Sequence, residues 1–323
     1  MTVLVTGGAG FIGSHTVDRL LERGERVIAL DNFNDYYSPA RKRANLAAAL
    51  TNPRCSVAEV DLRDSAAVNA VFAEAAHREP ITRIIHLAAM ANPRYSLAHP
   101  RLYIDVNEIG TLHLLQAAVQ HSVEVVVLAS SSSIYGKDAP MPVSETTPTD
   151  RPVSPYGFTK KAMEVMAYTF HHLHGLNINI LRFFTVYGPR GRPDMAVYLF
   201  TDAIAHGRPL TLFGDGSEGR DYTYVDDNVR GVVAAAYRPL GYRIFNLGNA
   251  HPESNRRLIS TIEAALGRRA IIAYQPFPAS DPRLTFSDTT LAGHLLDYQP
   301  RTRLDEGVPR FVAWYMRAVG PAT

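Results

Sequence analysis

The apolar, β-branched run Thr2–Thr6 (TVLVT) passes straight into a glycine-rich turn, and the turn opens directly onto a helical pattern. Gly7, Gly10 and Gly13 all lie in TGGAGFIGS, residues 6–14. Few features restrict a fold more. The run reads as a buried strand. The first glycine allows the tight turn, the second lets backbone approach a pyrophosphate, and the third lets the helix pack on the strand. Free N–H groups and the positive dipole end of that helix then face the phosphates. Three glycines alone are weak evidence; the strand–turn–helix setting strengthens it, as does Asp31, which ends the next strand pattern. A carboxylate there accepts hydrogen bonds from adenosine ribose hydroxyls and repels the 2′-phosphate of NADP, so NAD is the expected cofactor.

The rest of the first half repeats the alternation. Strand patterns cover residues 26–30, 56–60, 83–87, 123–129 and 177–183; helical periodicity covers 14–23, 66–76, 100–120 and 156–171. Strands that are apolar throughout, alternating with helices, predict a doubly wound parallel α/β (Rossmann) sheet covered on both faces. After residue 187 the elements shorten and Gly, Pro and Asp become frequent, as in GPRGRP (188–193) and GDGSEG (214–219). Residues 245–248 (FNLG) read as one more strand returning to the sheet. The expected division is a cofactor-binding domain of residues 1–187 with return segments near 222–250, and a smaller, discontinuous α/β substrate lobe of 188–221 and 251–323. Ligand is expected in the crevice between them.

Composition narrows the partners. A formal net charge of +2 over 323 residues gives no footprint for nucleic acid, and no apolar run is long enough to span a bilayer. The lone Cys55 excludes an intrachain disulfide framework. With a strand pattern opening at residue 2 and no charged leader before it, a cytoplasmic enzyme is expected. His171, His172 and His174 sit at an expected helix end, where they suit exposed carbonyls better than a metal, and no metal is expected. Asp226 and Asp227 are expected to cap a helix starting near Asn228.

Two further patterns carry chemistry. VVLASSSSIYG (126–136) puts four serines where a buried strand reaches the carboxyl edge of the sheet. That edge is where open α/β sheets bind ligands, although a serine cluster also serves as turn material. Tyr156 and Lys160 lie one helical turn apart on one face, where a lysine cation beside a phenol favours the phenolate.

Together these segments resemble the extended short-chain dehydrogenase/reductase family, specifically its nucleotide-sugar epimerases. TGGAGFIGS, ALDN, VDLRD, HLAAM, VNEIGT, ASSSSIYG, SPYGFTK, LRFFTVYGP and GRDYTYVDDNV stand in family order over nearly the whole chain. Within that group the likeness is to UDP-glucuronate 4-epimerases, through residues 31–37 (DNFNDYY), 94–96 (RYS) and 182–196 (RFFTVYGPRGRPDMA).

The resemblance implies Tyr156 as the acid/base at the sugar 4-hydroxyl, Lys160 as its electrostatic partner on the nicotinamide ribose, and Ser131 as the hydroxyl sharing the proton. It implies cofactor contacts from Gly7, Gly10, Phe11, Ile12, Gly13, Asp31, Asn32, Asp61, Leu62, Leu87, Ala88, Ala89, Asn107, Ser130 and Phe183. A plain loop reading of 61–62 and 87–89, and a capping role for Asn107, stay open. Ser132, Ser133, Arg94, Arg220 and Arg283 are implied around the substrate. Thr185 and Arg192 are candidates to hold a C6 carboxylate, because a guanidinium fork matches it; the alternative is an Arg192 merely solvated in its Gly/Pro loop.

The activity implied is C4 epimerisation of UDP-glucuronate through a transient 4-keto sugar, by a homodimer. UDP-glucose/galactose epimerisation, uronate decarboxylation and a catalytically silent dinucleotide sensor are the alternatives. The chain departs from the pattern at Asn92-Pro93, where the family has a Gly-Val-like pair, and at residues 278–283, where Arg283 replaces a usual proline.

Overall fold

The protein is described by a computed structural model covering residues 1–278 and 281–320. The first six strands are β1 (Thr2–Thr6), β2 (Arg26–Asp31), β3 (Cys55–Glu59), β4 (Ile81–His86), β5 (Val125–Ser131) and β6 (Asn177–Phe183). Three short ones follow, β7 (Thr185–Tyr187), β8 (Pro209–Phe213) and β9 (Gly219–Tyr224), and then β10 (Tyr242–Leu247), β11 (Pro252–Ser254) and β12 (Ile271–Gln275). One sheet runs in the order β10-β6-β5-β4-β1-β2-β3 with every pairing parallel. β1 and β5 are buried along their whole length. Helices cover both faces, so these strands are apolar throughout rather than alternating. The architecture is the doubly wound one expected.

From β3 the chain returns past β2 and β1 to β4. The loops leaving β1 and β4 therefore diverge to opposite faces, and a crevice opens between them at the carboxyl edge. Two small sheets, β11-β9-β7 and β12-β8, stand outside the main one. Between their strands the chain goes back to the main sheet: the helix Val225–Ala236 packs on β4, β5 and β6, and β10 pairs along β6 from Tyr242↔Ile178 to Leu247↔Phe183.

Three expectations need correction. The helix of 100–120 is not uniform: Pro100–Tyr103 leads into a wide π turn at Ile104–Ile109, then Gly110–Gln120. Thr111 Oγ1 donates to the Asn107 carbonyl at 2.5 Å, a back-bond of the kind that bends helices. Asp226 and Asp227 lie inside the first turn of a helix that already begins at Val225. The Asp227 carboxylate instead accepts the backbone N–H groups of Arg301 (3.1 Å) and Thr302 (2.8 Å). Finally, β5 outruns its apolar stretch and takes in Ser130 and Ser131, because β6 keeps pairing with it there, Ser130↔Arg182 and Ser131↔Phe183.

Candidate active site

A cavity of about 370 Å³ follows the carboxyl edge from the glycine turn to the ends of β5 and β7. Its cofactor half is built mainly from backbone. Gly7 has φ +67°, and a Cβ there would lie 2.8 Å from the Ala88 nitrogen. A Cβ on Gly13 would fall onto the Gly7 carbonyl oxygen, so helix and turn pack only because it is absent. Gly10 is different: its missing Cβ would meet the Gly7 oxygen at 3.1 Å and Tyr37 Oη at 3.9 Å, with the cavity otherwise open beside it. The Tyr37 hydroxyl is buried with no partner among the described residues.

Asp31 accepts N–H bonds from Phe33 (2.9 Å) and Ala9 (3.2 Å), while burial pushes its pKa up. Asp61 is held below the usual carboxylate range, chiefly by the Arg63 guanidinium, and also receives Asn32 Nδ2 at 2.9 Å. Phe11, Ile12, Asn32, Leu62, Leu87, Ala88, Ala89 and Phe183 complete this wall. Space at Gly10, free amides at the start of the helix Phe11–Glu22, and an unpartnered phenol beside them fit a dinucleotide diphosphate.

Asn107 is the expected cofactor residue that does not line the cavity. It is fully buried, accepts from Met90 N (2.8 Å), and donates to Met90 O (3.0 Å) and Thr159 Oγ1 (3.0 Å). It thus pins the segment after β4 to the helix carrying Tyr156.

That helix, Pro155–His174, begins with Ser154 accepting from Gly157 N at 3.1 Å. Gly157 lets it come close, since a Cβ there would lie 2.8 Å from the Ser133 carbonyl oxygen. Tyr156, Lys160, Ser130, Ser131, Ser132, Ser133 and Thr185 therefore meet on one wall. Burial raises the Tyr156 phenol, and a hydrogen bond with Ser131 and the charge of Arg192 pull it back. Lys160, expected to favour the phenolate, has a partner of its own. Lys160 Nζ donates to the Ala129 carbonyl at 2.8 Å, and burial lowers its own pKa to about 7, with the Glu164 charge opposing. The side chain is long enough to reach the end of β5, which takes one of its three N–H donors.

Beneath this wall lies a buried ion pair. Arg182 and Glu164 are 2% and 1% exposed, joined by a fork at 2.9 and 2.8 Å. Glu164 also accepts from Ser130 Oγ at 2.6 Å, and Arg182 donates to Tyr135 Oη at 2.9 Å.

Arg192 lines the cavity, so it is not merely solvated. Its fork is already taken: Nε and Nη2 donate to Asp194 at 2.9 and 2.7 Å, and Nη2 also reaches the Ala91 carbonyl at 3.3 Å. Asp194 further accepts from Tyr36 Oη (2.9 Å) and Asn92 Nδ2 (2.8 Å). Burial alone would raise Asp194; these bonds, led by Arg192, hold it below its usual range. Asp194, Tyr36 and Tyr37 lie in the segments that carry the family resemblance, but the sequence assigns them no role; the signal for the first is an acidic residue two positions beyond the clamp arginine.

Arg94, Arg220 and Arg283 stand apart from the cavity wall. Arg94 pairs with Asp281 at 2.7 Å and lies over the Phe213 ring. Arg220 donates to the carbonyls of Gly219 (2.9 Å) and Arg283 (3.2 Å), and Arg283 pairs with Glu218 at 3.3 Å. Of the segment 278–283, Ala279 and Ser280 lie outside the described residues.

A parallel sheet with a dinucleotide cradle at its switch point, and a serine–tyrosine–lysine wall continuous with it, defines a nicotinamide-dependent enzyme class. The chain belongs to the NAD dependent epimerase/dehydratase family, whose model matches residues 3–248. It is 41% identical to UDP-glucuronate 4-epimerase of Thermodesulfobacterium geofontis, over 96% of this chain and 95% of that one. Among solved structures, it resembles UDP-glucuronic acid 4-epimerase from Bacillus cereus in complex with UDP-glucuronic acid and NAD (TM-score 0.91, 32% identity, 98% and 99% of the two chains). It also resembles UDP-glucose 4-epimerase from Thermotoga maritima with UDP-glucose (TM-score 0.90, 31% identity, 99% and 100%).

Proposed function

We propose that this protein is an NAD-dependent UDP-sugar 4-epimerase that interconverts UDP-glucuronate and UDP-galacturonate. The observation that carries it is the meeting of Tyr156, Ser131 and Arg192 in one cavity continuous with the glycine cradle. NAD, when bound, accepts the C4 hydride and gives it back. The residues do the rest. Tyr156 takes the 4-hydroxyl proton and returns it, and Ser131, beside the phenol on the same wall, steadies the same oxygen. Gly10, the helix N-terminus and Asp31 hold the dinucleotide.

Ser132 and Ser133 offer neither acid nor base at ordinary serine pKa, which disfavours elimination across C5–C6. Arg192 and Thr185 are assigned to the C6 carboxylate, and Arg94, Arg220 and Arg283 to the outer, nucleotide end. One observation favours a second reading: the Asp194 carboxylate offsets the Arg192 charge, a setting that also accommodates a neutral hexose.

Proton NMR of separate incubations with UDP-glucuronate and UDP-glucose tests the proposal. Galacturonate signals from the first and slower turnover of the second are expected. Turnover of the neutral sugar alone rules out the acid-sugar assignment.

The domain division at residue 187, with 222–250 returned to the cofactor domain, is proposed on the pairing of β10 with β6. Self-association is proposed through Leu97, Ile104, Ile109, Phe158, Val165 and Tyr168, all exposed on neighbouring helices. No helix among the described residues is long and apolar enough to cross a membrane. A cytoplasmic location is proposed on the single, half-buried Cys55, whose thiol burial pushes up to about 11.

A further inference from the structure

We infer that Asp194, braced by Tyr36 and Asn92, is a positioning residue that sets which face of Arg192 is offered to the sugar, and so governs selectivity for an acid sugar. The inference rests on the proposed substrate and deepens it. Asp194 is saturated. Its Oδ1 takes Arg192 Nε, and its Oδ2 takes Arg192 Nη2, Tyr36 Oη and Asn92 Nδ2 at 2.7 to 2.9 Å. A carboxylate bound on this many sides has one position, and the guanidinium plane forked to it has one orientation. With Nε and Nη2 engaged, Nη1 is the guanidinium nitrogen left for a ligand in the cavity.

The braces come from separate parts of the chain. Tyr36 follows β2 and Asn92 follows β4, while Asp194 belongs to the segment crossing to the second lobe. Asn92 is itself fixed: its Oδ1 caps the helix Pro93–Ala98, and its carbonyl accepts from Tyr103 Oη at 2.6 Å. This accounts for asparagine at a position where the resembling family has a small residue. The three loops converge on one carboxylate, and the arginine's direction is fixed relative to the sheet edge rather than to its own Gly/Pro loop.

The consequence is chemical. In a 4-keto-uronate the C5–C6 bond breaks when it aligns with the ketone π-system: its electron pair moves to C5 and on to the C4 oxygen, CO₂ leaves, and C5 is then protonated to give a 4-keto-pentose. The oxidised cofactor of the proposed reaction supplies the ketone. One N–H donor group in a fixed direction holds the carboxylate in one rotamer about C5–C6; an arginine free to rotate follows the carboxylate into alignment.

The test compares wild type, Asp194→Asn and the double variant Tyr36→Phe/Asn92→Ala, with Thr185 and Arg192 intact. Three readings are taken: kcat/KM for UDP-glucuronate and for UDP-glucose, released CO₂ or UDP-pentose, and calorimetric affinity for each nucleotide sugar. Asp194→Asn is expected to lower the acid-to-neutral kcat/KM ratio on the order of tenfold and to raise CO₂ release, leaving UDP-glucose affinity unchanged. The double variant, which keeps the ion pair but frees it, should move the same way by less, and it decides the matter where Asp194→Asn does not fold. A loss shared equally by both sugars means a structural role only and overturns the inference, as does an unchanged ratio without CO₂. Wild type inactive on UDP-glucuronate removes the substrate reading and this inference together; an active wild type with unaltered variants removes the inference alone.

Discussion

The two ends of the cavity are built by opposite means. The cofactor end is a backbone surface: a turn with Gly7 at φ +67°, a helix start, and carboxylates already bonded by their own neighbours, Asp31 to Phe33 and Asp61 to Arg63. Many of its contacts are local in sequence, although Asp31 also reaches Ala9 and Asn32 reaches Asp61. At the sugar end, side chains from residues 36, 92, 131, 156, 185, 192 and 194 meet, held by charge pairs and long-range bonds. A backbone site tolerates side-chain change and binds one invariant ligand. A side-chain site is retuned by single substitutions, which suits the part that must choose among sugars.

The sharpest way to separate the two ends is Tyr156→Phe. Turnover should fall roughly a hundred- to ten-thousand-fold, the usual worth of a positioned acid/base, while NAD released from denatured protein stays at the wild-type ratio. Loss of both together would mean the ends are one unit.

Gly10→Val is the converse. The first added atom meets the Gly7 carbonyl oxygen at 3.1 Å and the others face the cavity, so the melting temperature without cofactor should fall only slightly. NAD affinity, measured by fluorescence titration, should weaken on the order of tenfold or more. An unaltered affinity would remove Gly10 from the cradle.

A smaller effect concerns Lys160, which sits where the ends meet. Burial lowers its folded pKa to about 7 from the ordinary 10.5. Between those values the unfolded chain holds the extra proton, so the stability of cofactor-free protein should rise with pH across that window. Urea unfolding at several pH values should show the slope in wild type and a flatter one in Lys160→Met. Equal slopes would assign the dependence to other groups.

The same contrast explains what the sequence disclosed. The glycine turn, Asp31 and the alternation of strands and helices are readable because each rests on near neighbours. Most expected cofactor residues line the cavity for that reason; Asn107 does not, because a π turn hidden inside a helix-like pattern swings it onto Met90. Arg192 was legible as a candidate from its loop, but its pairing was not: Asp194 acquires meaning only once Tyr36 and Asn92 fold against it. Lys160 and Tyr156 share a helix face as their spacing implies, yet the ammonium goes to Ala129, since nothing in a four-residue step fixes where a long flexible chain ends.

The return of β10 to the edge of β6 has a consequence for synthesis. As the polypeptide leaves the ribosome, β6 emerges with one side unpaired and keeps that side bare until residue 247 has followed, after β7, β8, β9 and the helix Val225–Ala236. An exposed strand edge is a template for wrong partners. Nascent chains stalled within that interval should be the sticky ones, while those released beyond it have closed their own seam.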